Sequence, residues 1–288
     1  MNGIGAFRCK LPAMNVHFHA TAKHHTRYMT ALANGLARRG IQSTINSGFL
    51  PADILCVWGF RSIPAAHQGP VLHLEAGYIN GTSGDYVPDR LRFISTSWNG
   101  MHGRAQHTPV GEVGRWVSLG IEVHPWRTGG DYALVIGQHP NDGACVGYDQ
   151  AKTVDDLVDR SMIPVRFRAH PLIQPTVPLA VDLRDAALCV TWNSTAAVES
   201  VIAGVPTVAL DAGSIARPVC SHDILEPPVR CDRVPWLADL AYRQWTEAEL
   251  ANGLAWEHLR NDLETHQRGD GIRRGTGIGR GNARPSNA

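Results

Sequence analysis

The sequence predicts an α/β protein built from two α/β layers with parallel sheets. Three observations carry this reading. Short continuous apolar runs, such as ILCVW (54–58) and AALCVT (186–191), have the pattern of strands buried on both faces. Such runs alternate with helical patterns in both halves of the chain. The alternation stops at HPWRTGG (124–130), where Pro and Gly replace periodicity, and then restarts.

The elements follow in order. His17 and His19 share one face of a possible first strand. Residues 21–39 form a helical pattern with Thr21 as cap, Tyr28, Leu32 and Leu36 spaced by four, and Gly40 as the stop. Strands are expected at 54–58, 71–74 and 91–95, which completes a first layer over 1–125. The second layer, 131–235, opens on the strand DYALVIG, the helix DDLVDRSM and the strand PVRFRA. The strand ending at Thr191 then meets a polar turn, an apolar helix from Ala196 to Ala203, and a stop at Gly204 reinforced by Pro206. A further strand starts at Thr207. Residues 236–265 read as C-terminal helices, and 266–288 as a Gly-rich, arginine-bearing tail expected to be disordered.

Composition narrows the function. The 288 residues suffice for two domains, and 43% apolar residues can build real cores. No run of eighteen apolar residues exists, and MNGIGAFRCK has no signal-peptide core. The six cysteines form no CxxC pair, so a reduced, cytoplasmic protein is expected. The net charge of +1 hides an asymmetry, because no Asp or Glu precedes Asp53 while six Lys and Arg do: Arg8, Lys10, Lys23, Arg27, Arg38 and Arg39. That imbalance suits a polyanionic partner. The absence of GxxxxGK[ST] removes a P-loop kinase, and the absence of GxSxG argues against an α/β-hydrolase. GIGRG at 277–281 follows no strand and is no dinucleotide fingerprint.

Chemistry-bearing residues collect at the expected carboxyl ends of strands. Asn193, Ser194 and Thr195 lie between a strand and a helix N-terminus, where free N–H groups attract anions. Ser194 or Thr195 can equally serve as an ordinary helix cap. His170 ends the strand PVRFRA and converges with Ser194 if both strands share a sheet. Glu75 follows the strand 71–74 and is the first candidate for a general base. Bracing a turn is the alternative for Glu75. Asn99 and His102, in WNGMHG, could orient an acceptor. No carboxylate or cysteine lies near the histidines at 17, 19, 24 and 25, so no metal is expected there. VDD at 154–156 opens a helix and reads as a favourable N-terminus, not as a metal anchor.

RAHP (168–171) followed by LCVTWNSTAAVESVIAGVPTV (188–208) resembles the carboxyl half of GT-B glycosyltransferases, with two Rossmann-like domains facing across a cleft. It is most similar in style to capsule polysaccharide transferases and to sialyltransferases that carry HP and Ser/Thr motifs. ALVIGQHPNDGA resembles the first strand and loop of their donor domain, and the resemblance spans about residues 131 to 223. It implies that His170 contacts the donor phosphate, that Asn193, Ser194 and Thr195 bind it at the helix N-terminus, and that Glu199 faces the ribose. A base after the first strand, as in many GT-B enzymes, makes His19 or His24 a rival to Glu75. A solvent-facing salt bridge is the alternative for Glu199. Gln138 and Asn141 would line the cleft, while Asp142 fits an ordinary turn as well. VWGF, HLEAGYINGTSGDY and STSWNGMHG resemble segments of phage-encoded, glycosyltransferase-like proteins.

The expected function is therefore transfer of a sugar from a nucleotide sugar, UDP-linked first, to a hydroxyl acceptor, with no cofactor or metal required. Hydroxymethylated bases of phage DNA are the first acceptor that suits the basic amino half, with an anionic or capsule-type glycan as the alternative. If phage-encoded, the protein would work in the host cytoplasm. A catalytically inactive nucleotide-sugar-binding module and a nucleotide-sugar epimerase are the alternatives.

Overall fold

The computed structural model describes residues 14–79, 93–140, 145, 147–160, 162–174 and 176–273, the last seven of these as backbone alone. Cys9, Asn141, Asp142 and most of the tail lie outside the described residues.

The first sheet is built from β1 (Asn15–His19), β2 (Gln42–Asn46), β3 (Ile54–Trp58), β4 (Val71–Ala76) and β5 (Phe93–Trp98), with the late strand β10 (Gln244–Thr246). Its order is β10-β5-β4-β3-β1-β2. The four strands β1 to β4 are parallel, and α1 (Lys23–Ala37) makes the crossover from β1 to β2. Every residue of β3 is buried, as its unbroken apolar sequence requires. The sheet is not wholly parallel: β5 runs antiparallel to β4, and β10 antiparallel to β5.

The second sheet holds β6 (Tyr132–Ile136), β7 (Val165–Arg168), β8 (Ala186–Thr191) and β9 (Thr207–Ala209), all parallel, in the order β7-β6-β8-β9. Between them lie α3 (Gln150–Arg160), α4 (Leu179–Leu183) and α5 (Ala196–Ile202), while α2 (Gly114–Leu119) precedes the sheet. Gly204 adopts a φ of +77° just past α5, the left-handed stop read from the sequence.

The chain then returns to the first sheet. After α6 (Val234–Ala241), the stretch read as C-terminal helices also holds a short strand, β10, which pairs with β5. Next come α7 (Glu247–Asn252) and α8 (Leu254–Arg273). Thr246 and Glu249 close a reciprocal capping box on α7, and Arg115 bridges to Glu249. Leu250, Ala255, Trp256 and Leu259 join α1 and strands β1, β3, β4 and β5 in one core. A second buried cluster bonds the two halves: Tyr78, Ile79 and Phe93 share it with Ala197, Val198, Val201 and Ile202 of α5 and with Trp236 and Leu237 of α6. Among the described residues no helix is long and apolar enough to cross a membrane.

Candidate active site

The parallel order β4-β3-β1 brings three carboxyl ends side by side, and each delivers a polar or aromatic group. Glu75 is the penultimate residue of β4. Next to it, β3 ends at Trp58 and turns at Gly59, whose φ of +65° is left-handed. A Cβ on Gly59 would lie only 2.8 Å from Glu75 Oε2, so the turn leaves room for the carboxylate because this residue is glycine. His73 sits beneath, with its Nδ1 and the Gly59 carbonyl 3.1 Å apart. Burial raises the pKa of Glu75 above the usual carboxylate range, although hydrogen bonds from the Ala76 amide and Trp58 and the charges of His24 and Arg61 pull the other way. A carboxylate lifted in this manner is a better proton acceptor than one in water.

The rival histidines gather around the same group. His24 and His25, in the first turn of α1, lie 5.1 Å and 5.0 Å from the Trp58 ring, His25 stacked and His24 edge-on. Thr21 does not cap α1 through its side chain; Ala22 holds that place. Instead the Thr21 amide donates to His25 Nδ1 at 3.3 Å. Desolvation, aided by His24, Arg61 and His19, lowers the His25 pKa to about 4, so this ring is neutral near pH 7. His19, at the end of β1, stacks on Phe49 at 4.0 Å and is also pushed down, chiefly by desolvation. His17 differs: it is buried, with Nδ1 at 2.9 Å from Thr44 Oγ1 and Nε2 at 2.8 Å from the Gly48 carbonyl, which is a packing role. Among the described residues no group of His, Cys, Asp and Glu is arranged to hold a metal.

His102 and Asn99 do not join this group. Antiparallel β5 carries the chain back to the amino end of β4, where the Val71 amide donates to Asn99 Oδ1 at 2.8 Å and Asn99 Nδ2 donates to Gln106 at 2.6 Å. Asn99 therefore pins a loop at the far edge, a correction to its expected place beside the acceptor. His102 stands in a single 3₁₀ turn (His102–Arg104) and meets Tyr78 edge-on at 5.7 Å, while its carbonyl accepts from Arg243. It faces the second half of the chain.

In that half, the carboxyl ends of β7, β6 and β8 present His170, His139 and the 193–195 turn. The two imidazoles meet edge-on at 5.4 Å. His139 was not foreseen; it marks the end of β6 as His170 marks the end of β7. Because β6 lies between β7 and β8, His170 and Ser194 are two strands apart, roughly 10 Å at ~4.8 Å per strand, with His139 in the gap. The turn itself is locally bonded. Ser194 N–H donates to Thr191 Oγ1, and Ser194 Oγ accepts from the Ala196 amide, each at 3.2 Å. Thr195 occupies the N-cap position without a side-chain cap bond.

Two expected donor ligands are committed elsewhere. Gln138 Nε2 donates to Thr191 Oγ1 at 3.3 Å and its Oε1 accepts from Cys145, so its amide ties the ends of β6 and β8 together. Asn193 is buried and donates to Asp211 Oδ2 at 3.4 Å, so it braces the turn from below. Asp211 in turn accepts both arms of Arg104, from the loop after β5. Burial alone would raise the Asp211 pKa, but Arg104, the Gly213 amide and Asn193 outweigh it and hold the carboxyl low. Glu199 is only 4% exposed, within the buried face of α5, which rules out a solvent-facing salt bridge.

These features define a GT-B-like α/β architecture: two Rossmann-like units whose sheets carry polar groups at their carboxyl ends. The chain is similar in structure to the Thermosulfurimonas dismutans KpsC beta Kdo 2,7 transferase, with a TM-score of 0.54 and 12% identity over 80% of this chain and 90% of that one. It is similar also to the beta Kdo 2,4 transferase of the same organism's KpsC, with a TM-score of 0.53 and 13% identity over 80% and 91%. No family model matches the chain, and no curated protein matches its sequence.

Proposed function

We propose that the chain is a glycosyltransferase of the GT-B type, with the donor nucleotide sugar on the second half and the acceptor on the first. The observation that carries this reading is Glu75: a buried carboxylate with a raised pKa, set beside Trp58, Gly59, His24 and Arg61 at the strand ends of a fold shared with two Kdo transferases. An acceptor hydroxyl attacks the anomeric carbon, the bond from that carbon to the donor phosphate oxygen breaks with its electron pair, and Glu75 takes the hydroxyl proton. His24, whose charge acts on Glu75, and His19, at the end of β1, orient the acceptor. Ser194 and Thr195 receive the departing phosphate, with His170 and His139 flanking it, and Glu199 lies one turn deeper toward the ribose. The residues invoked supply charge and hydrogen bonds without calling on a metal.

The acceptor is an anionic glycan on this reading, because the stretch before Asp53 bears only positive formal charge. The test is a melting-temperature panel of UDP, GDP, ADP, CMP and dTDP with their sugar conjugates, CMP-linked Kdo included. A ligand that binds only the folded state raises stability by RT ln(1 + [L]/Kd). One selective shift, followed by sugar transfer to an anionic glycan, supports the proposal. Transfer to hydroxymethylated DNA in place of glycan would reassign the acceptor, and no shift with any nucleotide would defeat the transferase reading.

A further inference from the structure

A cavity of about 270 Å³ lies away from the Glu75 group, between the 3₁₀ turn Arg217–Val219, α6 and the residues that follow α6. Gly103 and Ala212, which help to line it, flank the Arg104–Asp211 pair. Its walls bring two guanidiniums, Arg217 and Arg243, to one small space. Neither has a carboxylate partner within ion-pair distance among the described residues, in contrast to Arg27, Arg39, Arg104, Arg115 and Arg168.

Both arginines are anchored by part of their donor set and keep the rest. Arg217 Nη1 donates to the carbonyls of Ala209 and Leu210, at 3.2 Å and 3.4 Å, and among the described residues its Nε and Nη2 have no acceptor. Arg243 Nη2 donates to the His102 carbonyl, while its Nε is buried with no acceptor. Ser214, 1% exposed and also on the wall, buries a hydroxyl with no partner. Buried donors left unpaired in this way cost roughly 1–3 kcal/mol each, and native proteins seldom tolerate two around one cavity without a ligand or water.

The charges facing the cavity favour an anion. Asp239 lines it too, but one of its oxygens accepts from the Val110 amide at 3.1 Å and holds His107 Nε2 at 2.6 Å. His222 Nε2 lies 3.2 Å from the Arg217 carbonyl, which fixes that ring against the turn. The volume is just below the ~300–1,000 Å³ of ordinary organic-ligand pockets, a size that suits a compact group.

We propose that this cavity is a binding site for a compact oxyanion, a phosphate or carboxylate group held by Arg217, Arg243 and the Ser214 hydroxyl. Guanidiniums suit this task because their planar donors match oxyanion geometry and they stay charged at every working pH. The cavity adjoins the proposed donor turn through Asp211, which bonds both Asn193 and the Ser214 amide, but none of its lining residues belongs to that turn, and the assignment does not depend on the transferase reading.

Calorimetric titration of the full chain with inorganic phosphate, and separately with malonate, tests the proposal in an anion-poor buffer. The expected result is one saturable event with at least one of the two anions, and the preferred anion names the group. Arg217→Gln should weaken it at least tenfold and Ser214→Ala several-fold, with Arg27→Gln, at an exposed ion pair outside the cavity lining, indistinguishable from wild type. Ser214→Ala removes a hydroxyl that bonds nothing, so it keeps the test valid should Arg217→Gln fold poorly. No saturable event with either anion, or equal affinity in all the variants, would overturn the assignment.

Discussion

Arg104 grips both carboxylate oxygens of Asp211, Nη1 to Oδ2 at 2.8 Å and Nη2 to Oδ1 at 2.6 Å, and so ties the loop after β5 to the end of β9. The Asp211 side chain is 4% exposed while that of Arg104 is 57% exposed. Gly213 completes the fit, since a Cβ there would lie 1.7 Å from Arg104 Nη1. Arg104→Met leaves a buried carboxylate with weaker partners. The expected cost is about 1–2 kcal/mol, less than the ~3–5 kcal/mol of a fully buried pair because solvent reaches the guanidinium. Urea unfolding measures it. The Asp211 pKa is depressed in the folded state, so this contribution is present above the ordinary Asp range near ~4 and disappears as pH falls through the folded value. Acid should therefore erase the difference between variant and wild type.

A second coupled group governs the alkaline side. His107 lies 2.6 Å from Asp239 and 3.8 Å from Asp262 and links the loop after β5 to α6 and α8. Burial works against its protonation, but hydrogen bonds with the two carboxylates outweigh burial and the nearby Arg243, and the pKa is raised. A raised imidazole stabilises the fold fully below the ordinary value near ~6.5 and ceases to do so as pH rises through the folded value. The melting temperature of wild type should thus decline from neutral toward alkaline pH. His107→Gln should melt lower at neutral pH and show a flatter dependence over that window.

The turn before α5 separates a capping role from a binding role. Ser194 Oγ accepts from the Ala196 amide at 3.2 Å. Ser194→Ala should cost about 1 kcal/mol of stability, the ordinary value of such a local bond. If the turn also holds the donor phosphate, nucleotide affinity should fall by tenfold or more, read by calorimetry with the nucleotide that stabilises wild type.

Gly59 is expected to be intolerant of any side chain. Gly59→Ala combines a left-handed φ with a contact of 2.8 Å to the Glu75 carboxylate. Stability should fall by about 1–2 kcal/mol. Turnover should fall further than stability alone explains, because Glu75 must move. Activity measured well below the melting transition distinguishes the two effects.

Much of this architecture was legible in the sequence, for physical reasons that differ between elements. The boundaries of β3 and β8 follow from unbroken apolar runs, which only a strand covered on both faces requires. QSTIN escaped because β2 is a polar, largely exposed edge strand with no such signal. β10 escaped because three residues between two helices carry too little periodicity, and its place is set by β5 across the sheet. The antiparallel turn of β5 is likewise invisible locally, and it is what carries Asn99 to the wrong edge for chemistry.

The site was legible in outline only. Glu75, His19 and His24 were separate candidates in sequence, and the order β4-β3-β1 makes them neighbours. Trp58, Gly59 and Arg61 were missed because their relation to Glu75 exists only once β3 lies beside β4. Gln138 and Asn193 looked available because a sequence shows an amide and not its partner; Thr191 and Asp211 had already taken both.

The central claim rests on Glu75 as the group that accepts the acceptor proton. The decisive measurement is kcat for Glu75→Gln against wild type, with the donor identified by the melting panel and an anionic glycan acceptor, at matched melting temperature. The account expects a loss of about 10²–10⁴-fold, with donor affinity retained and His19→Ala and His24→Ala less impaired. Turnover by Glu75→Gln within a few-fold of wild type would contradict it, and would turn Glu75 into a residue that only braces the end of β4.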